Sequence, residues 1–328
     1  MTLLLSRKDV QNLLTMPAAI QIVEEAFRQL ALGNVIMPQR TVIRVAQHGG
    51  TYLGMPAYIG GEMDALAIKV VSVYAHNPAQ YNLPTTMGTL LLNDPKTGAP
   101  LAVMDASYLT AVRTGAVSGV ATKHLARQDA RRVGVFGAGI QAQTLVWAVC
   151  TVRNIESANV YDSDAKRARD YAAEMSKRLN ISVTPVDDPR QAVKGMDVIV
   201  AASSASQPVF DGNWLVPGQH INGIGSHSPD ARELDATTIV RSKVVPDLPE
   251  ACLVEAGDIM IPLNEGAITK DHIHAGLGEI VAGLKPGRES DQEITLFKSV
   301  GLALQDVSTA SFVYRKALEA QVGVEFAF

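Results

Sequence analysis

"VGVFGAGIQAQ", residues 133 to 143, reads as an apolar strand that turns through Gly137 and Gly139 into a helix, with Ala142 as a third small residue. In a dinucleotide-binding turn the first glycine permits the tight bend and the second lets the backbone approach a pyrophosphate. The third small position allows close helix packing. The free amides at the start of the helix then face a phosphate. GxGxxA is a weak pattern alone, since glycine makes up about 7% of ordinary sequence. Its surroundings have to decide.

Twenty residues beyond Ala142, "ANVYDSD" ends the next strand in Asp162. A carboxylate there accepts hydrogen bonds from the adenosine ribose and repels a 2′-phosphate, which points to NAD(H) over NADP(H). Lys166 and Arg167 soften that preference. Around the turn, "RRVGVFG", "SANVYD", "ISVTPV" and "MDVIVAAS" read as strands alternating with the helices "IQAQTLVWAVCTV", "DAKRARDYAAEMSKRL" and "DPRQAVKG". A βαβαβαβ order demands a parallel sheet with right-handed crossovers. "QHINGIG", "TTIVRSKVVPD" and "AGDIMIP" read as later strands. Ser290 and Glu293 form a capping-box pattern before a closing helical stripe of Val307, Ala310, Val313, Tyr314 and Leu318.

Upstream, "SRKDVQNLL" and "MPAAIQIVEEAFRQLALG" read as two opening helices, the second with Ile20, Val23, Ala26, Phe27 and Leu30 at helical spacing and Gly33 as a stop. "RTVIRV", "ALAIKVVSVY", "GTLLLND" and "PLAVMD" form a strand meander, and a long helix follows from Ala106. At 328 residues the chain exceeds what one core usually organises, so two domains are expected.

A net charge of −4 and the absence of any basic block argue against nucleic acid. Two cysteines, Cys150 and Cys252, with no CxxC, support neither a disulfide framework nor a structural zinc site. "MTLLLSRKDV" is too short an apolar run for a signal peptide. No segment has the roughly 18 to 20 apolar residues of a membrane span. A cytoplasmic location is the resulting expectation.

The strand-rich first part carries Arg40, Arg44, Lys69 and Arg113. A lysine inside the apolar strand "ALAIKVVSVY" is costly without a partner, so Lys69 is a candidate for clamping a carboxylate or polarising a carbonyl or imine. The alternative is a strand-end lysine whose amine reaches water. Arg113 suits a phosphate or carboxylate, with a structural ion pair as its alternative. His227, in "GIGSHSPD" after a strand of the parallel sheet, could act as acid or base or be only a solvated loop residue. His272 and His274 form an HxH without a third ligand, and no metal site is expected.

Taken together, "PQRTVIRV", "YLGMPAYIGG", "LAIKVVSVY", "LLLNDPKTGAPLAVMDASYLTAVRTGAVSGVATKHLA", "VFGAGIQAQ", "GSHSPDARELD" and "GRESDQEITLFKSVGLALQD" resemble the ornithine cyclodeaminase and mu-crystallin family over nearly the whole chain. The resemblance implies an α/β protein. Residues 115–300 would be a doubly wound Rossmann domain. Residues 1–114 with 301–328 would be a strand-rich α+β substrate and dimerisation domain, completed by the C-terminal helix. It implies a homodimer acting on a small imino or amino acid, with hydride transfer at a carbon bearing nitrogen and a carboxylate. By the same resemblance Arg40 and Lys69 are the carboxylate pair, and Arg113 touches both substrate and cofactor. Cofactor contacts are Thr85, the turn Gly137, Ala138, Gly139, Ile140 and Gln141, then Asp162, Ser203, Gly225, Ser226 and Ser299. Val300 lies on the substrate side of the nicotinamide.

Two departures bear on activity. Ornithine cyclodeaminases carry an aspartate where this chain has His227, and Asp230 lies three residues further on, which argues against ornithine cyclisation. Archaeal-type alanine dehydrogenases have an arginine shortly before "MPAY", where Leu53 stands here. The leading expectation is an NADH-dependent reductase of a small α-imino acid, preformed or made from a 2-oxo acid and an amine, with Lys69 and His227 as catalytic groups. An ornithine cyclodeaminase and a non-catalytic NAD(P)H-binding protein are the alternatives.

Overall fold

The computed structural model describes residues 1–327. The chain forms two compact units, Met1–Arg113 with Leu302–Phe328, and Thr114–Gly301. The first unit contains β1 (Thr2–Leu5), β2 (Val35–Ile36), β3 (Thr41–Val45), β4 (Gly50–Ile59), β5 (Ala65–Tyr74), β6 (Thr86–Asn93) and β7 (Pro100–Asp105). The second contains β8 (Arg132–Phe136), β9 (Ser157–Tyr161), β10 (Ser182–Pro185), β11 (Val198–Ala201), β12 (His220–Gly223), β13 (Lys243–Pro246) and β14 (Thr295–Lys298). The chain then returns to the first unit with the helix Ala303–Ala320 and β15 (Val324–Phe326).

In the first unit the sheet order is β15-β1-β7-β6-β5-β4-β2, and β3 pairs the other end of β4. β4 to β7 run antiparallel, whereas β1 joins β7 in parallel. Alternation along β5 buries Ala65, Ala67, Lys69 and Val71 on one face and leaves Leu66, Ile68 and Val70 half-buried on the other. Helices Met16–Ala31 and Ala303–Ala320 cover the buried face, the first through Ile20, Val23 and Phe27, the second through Val307, Ala310 and Val313. Pro17 in the first turn and Gly33 just past the end set the limits of the Met16–Ala31 helix.

The second unit is a wholly parallel sheet in the order β10-β9-β8-β11-β12-β14-β13. Strands buried on both faces read as continuous apolar runs, as in "VIVA" of β11. The strand order reverses between β8 and β11, and in such sheets ligands bind beyond the carboxyl ends of the strands at that point. The α/β class expected from the sequence is the class observed.

Several local readings are corrected. "AGDIMIP" is a helix, Gly257–Asn264, not a strand. A short apolar run fits either state. Here Asp258 turns inward and accepts the Glu233 and Leu234 amides at 2.7 and 2.9 Å, which a strand would not place there. "TTIVRSKVVPD" splits into a helix, Ala236–Val240, capped by Asp235, and then β13. "DPRQAVKG" makes a single 3-10 turn, Pro189–Ala192. Ser290 and Glu293 bond locally, to the amides of Gln292 and Glu289, in a turn before β14, so the closing helix starts only at Ala303. Leu318, expected on the buried stripe, is 54% exposed. β1, β2, β4 and β15 are strands that the sequence runs above do not name.

Candidate functional site

The second unit presents a turn built for a phosphate. Gly137 has φ +94°, and a Cβ there would lie 2.7 Å from the Ala202 carbonyl oxygen, so only glycine fits. The helix Ile140–Val152 opens with Gly139 at its cap and no capping side chain, leaving its first-turn amides without a side-chain acceptor. Asp162 follows β9 directly and accepts from the Ala138 amide at 2.8 Å and the Asp164 amide at 3.0 Å. Its carboxylate is therefore fastened to the turn and, with lone pairs to spare, keeps acceptor capacity for ribose hydroxyls. The Arg167 guanidinium lies 3.9 Å from it. Ile140 is exposed at the helix start and Gln141 is half-buried. A turn closed to a Cβ at Gly137, an uncapped helix and a tethered acceptor fit a dinucleotide.

The other residues expected to contact the cofactor also follow strand ends. Ser203 lies beyond β11, Gly225, Ser226 and His227 beyond β12, and Ser299 and Val300 beyond β14. Their loops are held by charged groups that sequence reasoning missed. Glu233 accepts from both the Ser203 amide and hydroxyl at 2.6 Å, and Ser203 Oγ in turn accepts from the Ala205 amide. Lys298, fully buried, pairs with Asp258 at 2.6 Å and donates to the Ser226 carbonyl at 2.6 Å. Asp247 accepts from Ser299 Oγ at 2.6 Å and from the Val300 and Gly301 amides at 3.0 Å each. Burial, foremost, raises the Glu233 carboxyl above the ordinary carboxylate range. A Cβ on Gly225 would collide with Glu233 Oε2, so glycine is required in that loop as well. His227 is exposed, with Nδ1 3.1 Å from the Gly225 carbonyl, and Asp230 is exposed further along the loop.

In the first unit Lys69 and Arg113 meet on one carboxylate. Lys69 is 1% exposed, so it does not reach water from a strand end. Its Nζ lies 2.9 Å from Asp306 Oδ1 and 2.8 Å from Oδ2, while Arg113 Nε donates to Oδ1 at 2.9 Å. Arg113 also donates to Gln305 Oε1 at 2.6 Å. Burial, then the Arg113 charge and, less strongly, Arg40, lower the Lys69 amine to about 7 against the pull of Asp306. Arg40 is half-buried between β2 and β3. Thr85 is exposed just before β6, and its carbonyl accepts from the Tyr74 amide at 2.8 Å. Leu53 sits on β4 opposite Val71.

Residues 1–321 match the model of the ornithine cyclodeaminase/mu-crystallin family. The chain belongs to this family. A Thermococcus litoralis Δ1-pyrroline-2-carboxylate reductase, solved in complex with NADH and L-proline, is 51% identical, with a TM-score of 0.96 covering 99% of this chain and 100% of that one. An archaeal alanine dehydrogenase dimer with bound NAD is 39% identical, with a TM-score of 0.94 covering 100% and 99%. The Bacillus cereus Δ1-pyrroline-2-carboxylate reductase is 38% identical over 99% of this chain and 100% of its own length.

Of the remaining polar candidates in this ornithine cyclodeaminase/mu-crystallin chain, Arg44 is exposed on β3 and the two histidines of the HxH bond backbone carbonyls. His272 Nε2 lies 2.8 Å from the Ile239 carbonyl, and His274 Nε2 lies 2.9 Å from the Pro286 carbonyl. Cys150 and Cys252 are unbonded to each other. Among the described residues no group of His, Cys, Asp or Glu gathers at metal-holding distance, and no helix is long and apolar enough to cross a membrane.

Proposed function

We propose that this chain reduces a small cyclic α-imino monocarboxylate of the Δ1-pyrroline-2-carboxylate kind to the corresponding α-amino acid, using NADH. One observation carries the reading: two buried cations, Lys69 and Arg113, share a single carboxylate, Asp306. That leaves one positive charge for a substrate carboxylate to balance. The 51% identity to a Δ1-pyrroline-2-carboxylate reductase over its full length supports the ring class.

Reduction adds a hydride to the imine carbon and a proton to nitrogen. NADH, when bound, supplies the hydride. Gly137, Gly139 and the helix start at Ile140 would hold its pyrophosphate, Asp162 its ribose, and Ser203, Ser226 and Ser299 would contact its nicotinamide half. Lys69, Arg113 and Arg40 grip the carboxylate, which fixes the imine's orientation, and restraint of this kind removes much of the entropic barrier. His227 delivers the proton, and a His227→Ala variant of undiminished rate would remove that role.

Support for a homodimer comes from the archaeal alanine dehydrogenase dimer and from the half-buried apolar face of the first unit, Ile68, Val70, Leu91, Leu101 and Val103. Two unbonded cysteines suit a reducing, cytoplasmic setting.

The test is loss of NADH absorbance with purified protein across Δ1-pyrroline-2-carboxylate, Δ1-piperideine-2-carboxylate, iminosuccinate, and pyruvate with ammonia or methylamine, beside ornithine with NAD assayed for proline. Turnover of the cyclic monocarboxylates is expected. Preference for pyruvate with ammonia would make the chain an alanine dehydrogenase, and proline formed from ornithine without net cofactor change would make it a cyclodeaminase.

A further inference from the structure

The first turn of the helix Ala303–Ala320 carries Gln305 and Asp306, both with no exposed surface. The charged groups that act on Lys69 come from three other elements. They are Asp306 from this helix, Arg113 from the helix Ser107–Leu125, and Arg40 from the β2–β3 connection. Asp306 is the one anion of the set. Gln305 holds the Arg113 guanidinium with a neutral amide oxygen at 2.6 Å, so it steadies that group without cancelling its charge.

We propose that Asp306 is the positioning residue of the substrate-carboxylate clamp. It fixes Lys69 and Arg113 on one shared anion and keeps the lysine cationic for an incoming carboxylate. The inference rests on the reading that Lys69 and Arg113 grip the substrate. The physics is a balance of signs. Burial and two neighbouring guanidinium charges all favour the neutral amine, and only Asp306 opposes them. Both Asp306 oxygens lie within 2.9 Å of Lys69 Nζ, and one also takes Arg113 Nε, so the spacing of the two cations is set by a single group. A second carboxylate in place of Gln305 would satisfy the cations internally and leave nothing for a substrate to balance.

The experiment compares wild type, Asp306→Asn and Asp306→Glu. It measures kcat/KM for Δ1-pyrroline-2-carboxylate with NADH across pH, and NADH affinity by fluorescence as a check that each variant is folded. In wild type, kcat/KM is expected to fall as the Lys69 amine loses its proton near pH 7. In Asp306→Asn that fall moves at least about one unit lower, so that above neutrality kcat/KM drops about ten-fold or more, while NADH affinity holds. Asp306→Glu, which restores the charge at the cost of an extra methylene, returns the profile toward wild type. A profile of unchanged shape in Asp306→Asn, merely scaled down, would overturn the proposal, and so would an Asp306→Glu variant that behaves worse than Asn. If wild type reduces no imine, the proposed function fails, and Asp306 is then tested by calorimetry with pyrrole-2-carboxylate. Equal affinity in wild type and Asp306→Asn would overturn it there.

Discussion

The molecule buries two lysines, Lys69 in the first unit and Lys298 in the second, and surrounds them with opposite charge balances. Lys69 and Arg113 are two cations on one carboxylate, Asp306. Lys298 is one cation near two carboxylates, Asp258 by direct contact and Glu233 through its field. The second cluster is closed by the chain itself, because the Ser226 carbonyl accepts from Lys298 and the amides of Ser203, Glu233 and Leu234 bond the two acids. Burial pushes the Glu233 carboxyl toward its protonated form, which lessens that cluster's surplus negative charge. The first cluster has only the neutral Gln305 in support and a surplus positive charge. Burial of charge is costly in both places, but one cluster fixes loops, and the other keeps a surplus that the proposed substrate carboxylate would balance.

The largest expected effect tests that distinction. Lys69→Met removes one partner of a desolvated charge contact, which costs about 2–5 kcal/mol, and should lower kcat/KM for the imine by roughly 30-fold to several thousand-fold. NADH affinity measured by fluorescence should stay within about two-fold of wild type, less than half a kcal/mol. Equal losses in both quantities would mean that Lys69, like Lys298, serves the fold. Next is Lys298→Met, which strands the buried Asp258 carboxylate and should cost about 3–5 kcal/mol in urea unfolding. A loss under about 1 kcal/mol would place Lys298 outside any network.

A third expectation concerns pH and carries opposite signs for the two clusters. The folded Lys69 amine, near 7, binds fewer protons than the unfolded one, whose pKa is about 10.4. Its contribution to stability is therefore complete above the unfolded value and is lost as pH falls toward about 7. Glu233, raised on folding, holds a proton that the unfolded chain has already released. Its contribution is present in acid and is lost as pH rises through its folded pKa. Unfolding free energies measured against pH should lose the first slope in Lys69→Met and the second in Glu233→Gln. The smallest effect is Glu233→Gln itself, an almost isosteric stand-in for the protonated acid. In acid, below its folded pKa, it should change stability by less than about 1 kcal/mol, and a cost of several kcal/mol there would show that the contacts of Glu233 depend on its charge.

The two regions also differ in how far the sequence revealed them. The phosphate turn was legible because its requirements are local: glycine where φ is positive, a small residue one helical turn later, and an acid after the next strand. Lys69 was legible as a cation in an apolar strand, but its partner Asp306 lies 237 positions away and no local pattern joins them. The same clue, a charge inside an apolar run, was present at Lys298 in "TLFKSVG" and at Asp258 in "AGDIMIP". Asp258 was missed because the run was read as a strand, whose alternation hides an inward-turned acid. β1 went unread because its apolar residues gain a partner only when the distant β7 lies beside it.

The first unit opens with β1 and is completed only by Ala303–Ala320 and β15, which pairs with β1. During synthesis, then, the ribosome makes Lys69 long before Asp306 exists. At about 5–20 residues per second, the 237 positions between them take on the order of ten to fifty seconds. β14, which the second unit needs between β12 and β13, is made only just before Asp306, so both sheets close late. The final stretch of the message therefore times when Lys69 can meet its anion, and a nascent chain stalled before residue 302 would lack Asp306 and the helix that covers the first sheet.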